Sequence, residues 1–432
     1  MLQWLLVAGY SALFLWIIQR SVFFRLENIP IRWIQLAFLA KVTAGCFVGW
    51  MYYVHYRDVT TADTIKFFDD GNLLYETHRT NLRHFLMMLT GIGGRSPELL
   101  PYYEKMSAWL NTDVLFNDNK TIIRANAFFR FFSLGNYYVH VVFINVFSYT
   151  GLLALFKLFS RYLPGKERML FVALFLYPSL MIWGSGLLKD GLLLFALGGL
   201  LLSFDGLLKR VNLKRNIPVF LLCLFMLLFT KFYVITAVCP GLIAWYLSRK
   251  TTGLKTALIY LSTYVFFIAL GFNINRISDR WDVADMIYWK QHNFNAQADI
   301  MKPGSRITIP ELEPGVMGIL KQAPLGLIRC IVRPGLMDDL SNPMVLLAVI
   351  ENTLMLALSG YFFWKKSQLP LPEVFPVLLF CVFASCFILT LIGLITPILG
   401  ALVRYKVVAY PFVVFIVLSF VRNDKIIPLK SK

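Results

Sequence analysis

The chain has 432 residues and a formal net charge of +18. With 58% hydrophobic and 15% charged residues, it lies far from an ordinary soluble domain. Its surplus of bases does not point to nucleic acid, because residues 55–136 and 274–343 are charge-balanced and the bases elsewhere punctuate long apolar runs. Short Lys/Arg-rich loops stay in the cytoplasm, whereas long loops cross the membrane largely regardless of charge.

Apolar stretches near 20 residues, about the length a helix needs to cross a bilayer, recur near 2–19, 33–54, 137–158, 169–186, 191–208, 216–231, 233–248, 255–273, 344–364, 372–395 and 405–421. The expected fold is therefore all-α: a polytopic integral membrane protein with about 11 transmembrane helices and two long extracytoplasmic loops bearing short amphipathic helices. Residues 1–54 hold helices 1 and 2, and 55–136 form the first extracytoplasmic loop with an acidic motif. Residues 137–273 hold helices 3 to 8, 274–343 form the second loop, and 344–432 hold helices 9 to 11 and a short cytoplasmic tail. The first span has no bases before it and no small-residue cleavage site after it, so it reads as a retained helix.

Every second connection is basic: Arg20, Arg25 and Arg32; Arg161, Lys166 and Arg168; Lys209, Arg210, Lys214 and Arg215; Arg249, Lys250 and Lys255; Lys365 and Lys366; and the terminal Arg422, Lys425, Lys430 and Lys432. These connections are expected in the cytoplasm, with the N-terminus outside and the C-terminus inside. The six cysteines form no CxxC motif, so no zinc site or redox pair is expected.

In the first loop, Leu82, Phe85, Leu86 and Leu89 follow i, i+3, i+4, i+7 spacing, one face of a helix. That helix would lie on the membrane surface or pack as an ordinary element, and the spacing fits both. The breakers "GIGG" and "SPELLP" end it, and 122–132, rich in Phe, leads back to the membrane. The second loop starts polar and ends in "LGLIRCIVRPGLMDDLSNP". Its last third is expected to rest on the membrane or to cap the first loop.

Ionisable groups at span ends are costly and mark candidate sites. "TADTIKFFDD" supplies Asp63, Asp69 and Asp70, with Asp63 and Asp70 on one face if the segment is helical. They are candidate catalytic carboxylates, and Asp63 with Asp70 a candidate metal pair. The alternative is a set of solvated, helix-capping acids. "WGSGLLKDG" gives Lys189 and Asp190, either an interfacial anchor or a phosphate contact. Lys231 interrupts an apolar run, as a snorkelling turn or a second phosphate contact. Arg329 and Arg333 in "IRCIVRPG", and Arg404 and Tyr405 with Lys406 in "LGALVRYK", are further candidates, since guanidinium suits phosphate oxygens. Glu351 inside span 9 needs a partner, for which Lys41 in span 2 is one candidate. The composition suits a substrate with a lipid tail and an anionic head.

Three segments, "YYVHYRDVTTADTIKFFDDG", "LFLYPSLMIWGSGLLKDGLLLFALG" and "LGALVRYKVVAYPF", resemble the GT-C superfamily of polyprenyl-phosphate-sugar-dependent membrane glycosyltransferases, in particular the multispan surface-polysaccharide proteins of Bacteroidetes type. The resemblance implies inverting transfer of a sugar from a polyprenyl-phosphate-linked donor to a glycan, lipid or protein acceptor, on the outer face of a bacterial inner membrane, in cell-envelope polysaccharide biosynthesis. Asp63 would be the base, with Asp69 or Asp70 in reserve. Lys189, Arg333 and Arg404 would neutralise the leaving phosphate, and a divalent cation, Mg2+ or Mn2+, is allowed. Two features depart from many members of the family: the acidic loop follows the second span instead of the first, and the sequence runs only to 432 past an expected last span at 405–421, where many members carry a soluble domain. The competing expectations are an oligosaccharide repeat-unit polymerase of O-antigen or capsule type, and a non-enzymatic lipid-linked-glycan transporter or scaffold subunit.

Overall fold

A computed structural model describes residues 2–56, 62–107, 117–278, 281–338, 343–364 and 373–421. Among them the chain is helical, with no named strand and only two isolated bridges. Arg57, Asp58, Asp113, Asp279, Arg280 and Asp339, which count in the charge balance of the two long loops, and the basic groups at Lys365–Lys366 and 422–432 lie outside the described residues. Among the described residues, seven helices are long and apolar enough to cross a membrane, or eight if one bent pair counts as a single span. The chain is thus an all-helical polytopic membrane protein.

Two compact units divide the chain. The first comprises 1–161 and 171–235. Its helices are α1 (Leu2–Arg20), α2 (Ile31–Trp50), α3 (Asp63–Thr80), α4 (Leu82–Thr90), α5 (Leu100–Tyr103), α6 (Asp118–Ser133), α7 (Tyr137–Ser160), α8 (Glu167–Phe175), α9 (Pro178–Trp183), α10 (Lys189–Leu208) and α11 (Leu213–Thr230), with α8 entering it at Phe171. Helices α7 and α10 pack backbone to backbone: a Cβ at Gly198 would overlap the Gly151 carbonyl, and one at Gly151 the Leu194 carbonyl. Small residues permit this approach, and between membrane helices close packing drives association.

The segment 169–186, expected as one span, is instead two short helices separated at Tyr177–Pro178. Proline donates no amide and disfavours helical geometry in the residue before it. The carbonyls at the end of α9 are satisfied by Lys41, whose Nζ donates to Ser185 Oγ (3.0 Å), Gly184 O (3.3 Å) and Leu180 O (3.4 Å). Lys41, one candidate partner for Glu351 in the sequence, makes these contacts instead. A cation suits the negative end of a helix, so Lys41 caps α9.

The described residues of the first long loop, 62–107 and 117–133, are largely helical. Asn81 caps α4 through its side chain, and Gly91 ends it at φ 79°, a left-handed position natural to glycine. Phe85 and Met88 enter the core, while Leu82 and Leu86 stay exposed. The buried face is thus rotated from the one the spacing suggested. Asn117 caps α6. Buried His140 ties α6 to α7 through Ser133 Oγ (2.7 Å) and Asn126 Oδ1 (2.8 Å).

The second unit comprises 162–170 and 236–432. It holds most of α12 (Phe232–Ser248), then α13 (Gly253–Asn273), α14 (Val283–Met301), α15 (Val316–Val332), α16 (Pro343–Trp364), α17 (Phe375–Ile395), α18 (Leu399–Lys406) and α19 (Tyr410–Phe420). The last third of the second loop is α15, which packs on α17: a Cβ at Gly393 would overlap the Gly326 carbonyl. The expected final span is α18 and α19 bent by 63°. Backbone bonds from Ile307 to Pro397 (2.8 Å) and from Leu399 to Ser305 (2.9 Å) pin the second loop to the break between α17 and α18.

Candidate functional site

Several charged residues of the first unit gather around the first turn of α6. Lys189 opens α10, and its Nζ reaches Asp118 Oδ2 (2.6 Å) and Asn119 Oδ1 (2.8 Å). The next residue, Asp190, is buried and pairs with buried Lys231 at 2.7 Å. Lys231 is the extended residue that ends α11. It is neither a snorkelling turn nor an exposed cation, because Asp190 draws it inward. The two neighbours in "LLKDG" therefore serve different partners, one on α6 and one at the end of α11. Thr121 of α6 donates to Phe229 O of α11 at 2.5 Å, fixing that junction.

On the other side, α3 brings its acids to α6. Asp70 is 1% exposed and accepts the Ser107 amide at 2.9 Å. Asp69 is exposed on the next step of the helix. Partial burial and the neighbouring Asp70 charge push the Asp69 carboxyl above its ordinary value. Asp63 is half-buried at the start of α3, two turns and about 10 Å from Asp70. Among the described residues no three His, Cys, Asp or Glu side chains gather as cation ligands.

Three residues that the sequence reading passed over complete the cluster. Lys120 Nζ sits 3.6 Å from the centre of the Tyr103 ring. Arg124, four residues on and so on the same face, donates Nε to Met88 O (3.1 Å). The Tyr103 hydroxyl is buried without a hydrogen-bond partner among the described residues. Burial and the Arg124 charge lower Lys120 to about 8, with Asp70 acting in the opposite sense. The i, i+4 spacing of Lys120 and Arg124, just after a capping Asn, was the available signal.

In the second unit, Arg329 donates to Gly393 O (2.8 Å) and Arg333 lies 3.7 Å from Asp338. Arg404 and Tyr405 are half-buried on α18. The buried member of that segment is Lys406, which donates to Arg333 O (2.6 Å) and Asn352 Oδ1 (3.3 Å). Asn352 in turn donates to the carbonyls of Ile331, Val332 and Pro334. The sequence candidates thus fall into two groups, Asp63, Asp69, Asp70, Lys189, Asp190 and Lys231 in the first unit and the arginines in the second. All six cysteines are free thiols.

No protein-family model matches the chain, and no match is found among curated proteins or solved structures.

Proposed function

We propose that the chain is a membrane glycosyltransferase of GT-C type, moving a sugar from a polyprenyl-phosphate-linked donor to a glycan, lipid or protein acceptor on the extracytoplasmic face. In this reading the chain crosses the bacterial inner membrane about eleven times with its N-terminus outside. The α3–α6–α10 cluster then lies at the outer edge of the bilayer. The observation that carries the reading is the first turn of α6, which contacts Lys189 on one side and lies beside Asp70 on the other. Acids and fixed cations meet there in one place beside apolar helices, as a sugar-lipid-phosphate donor requires. A carboxylate of α3 would take the acceptor proton. Fixed cations would stabilise the negative charge that develops on the leaving phosphate. Asp63 is the first choice for the base, because the Asp70 carboxylate is deeply buried and engaged by the Ser107 amide.

The test is Asp63→Asn in membranes containing the purified full chain, with expression and folding matched. Loss of sugar transfer from the polyprenyl-linked donor supports the reading. Retained transfer removes Asp63 as base and favours the repeat-unit polymerase working through arginine.

A second reading, transport of a lipid-linked glycan, is favoured by one feature of the second unit. Lys406, Asn352 and Glu351 are buried beside the 63° bend between α18 and α19. Broken helices and interior charges are the marks of transporter sites. Flipping of labelled lipid-linked glycan in vesicles, lost in Lys406→Met, would support it.

A further inference from the structure

Lys189 and Lys231, the cations that sequence singled out in the first unit, each hold a carboxylate. Lys120 differs. Its ammonium is half-buried against the Tyr103 ring. Among the described residues it lies within ion-pair distance of no carboxylate. The charges that act on it are Arg124, which repels it, and Asp70, which attracts it. Beside it the buried Tyr103 hydroxyl makes no hydrogen bond among the described residues. An ammonium and a hydroxyl held together with unspent donors, next to a guanidinium, form a surface complementary to a compact anion with several oxygens.

We propose that Lys120, Tyr103 and Arg124 form a binding site for a phosphoryl group. Lys120 Nζ and the Tyr103 hydroxyl donate to its oxygens, and Arg124 adds positive charge while its Nε stays on Met88. Further along α6, Phe128, Phe131 and Phe132 are exposed, an apolar surface suited to the tail of a lipid phosphate. The inference rests on reading this face as a substrate site, but it concerns the anion and not the sugar.

The test is equilibrium binding of farnesyl phosphate, farnesol and inorganic phosphate to the full chain in nanodiscs. Wild type is expected to bind farnesyl phosphate and not farnesol. Lys120→Gln should weaken that binding about tenfold or more, and Tyr103→Phe by about threefold, as loss of charged and neutral hydrogen bonds implies. Arg79→Gln, removing an exposed cation paired with Glu76, should leave it unchanged. Competition by inorganic phosphate at similar concentration would make free phosphate the ligand, and its failure would make the lipid headgroup the ligand. Both outcomes uphold the site. Equal affinity of wild type and Lys120→Gln for farnesyl phosphate, at matched thermal stability, would overturn it. Should Lys120→Gln not fold, Lys120→Arg and Tyr103→Phe decide: undiminished binding in Tyr103→Phe overturns the site as drawn. Binding that depends on Lys120 in a protein that transfers no sugar would refute the transferase reading and leave the anion site standing.

Discussion

The Asp190–Lys231 pair offers the sharpest energetic test. Both side chains are under 5% exposed and their charged atoms are 2.7 Å apart. At an effective dielectric near 20, the attraction at that distance is about 6 kcal/mol. Desolvation of each ion costs several kcal/mol, so the pair as a whole contributes little net stability. Removing one partner is different, because it leaves a charge buried beside apolar helices. Lys231→Met should therefore destabilise the protein by about 3–5 kcal/mol. Asp190→Leu combined with Lys231→Met should recover most of that loss. The assay is thermal denaturation of the detergent-solubilised protein, followed by fluorescence-detected size exclusion, as a double-mutant cycle. If Lys231→Met melts with wild type, or the double variant is no better than the worse single one, the interior placement of the pair is wrong. Activity gives a second readout: if the pair only positions Lys189 at the head of α10, the double variant should keep measurable binding of farnesyl phosphate.

Farnesyl phosphate binding should also weaken above about pH 8. Lys120 has its value lowered from 10.5 to about 8 by burial and by Arg124, against Asp70, and its ammonium lies over the Tyr103 ring. Lys120→Arg should extend binding to higher pH, because guanidinium stays charged. The linkage has the matching sign: the folded state binds fewer protons than the unfolded one between about 8 and 10.5, so wild-type stability should rise with pH across that window. Lys120→Met should lose this rise and raise the melting temperature at neutral pH, since it removes a partly desolvated cation. Gly198→Ala should separate α7 from α10 and lower stability by about 1–3 kcal/mol, read as a lower melting temperature. Gly393→Ala should do the same between α15 and α17, whereas Gly271→Ala, with open space around its Cβ position, should be near neutral.

The helical class and most apolar spans are legible in the sequence because hydropathy and length act locally. Ile31–Val54, Tyr137–Ser160 and Phe375–Ile395 all lie close to the stretches that composition marks. The breaks were harder to place. Pro178 was in plain view, yet a run apolar on both sides of it reads as one span until the chain geometry separates α8 from α9. The amphipathic segment at 82–90 was foreseen as a helix, but which of its apolar residues turn inward depends on what packs against it. Phe85, which the spacing marks, and Met88, which it does not, are the ones that meet the core.

The acids and bases themselves could be singled out because a charge beside an apolar run is conspicuous. Their partners could not. Lys189 meets Asp118 across 71 residues, Lys231 meets Asp190 across 41, and Lys41 caps carbonyls more than 130 residues away. Such contacts depend on which helices lie side by side, and that follows from backbone approaches such as Gly151 with Gly198. Sequence by itself determined that this chain is built of apolar helices and where its charges interrupt them, because burial in lipid is decided residue by residue. Tertiary structure alone decided which charges neutralise one another and which, like Lys120 beside Tyr103, keep donors to offer. That difference rests on distances between 2.6 and 3.6 Å, and only helix packing sets them.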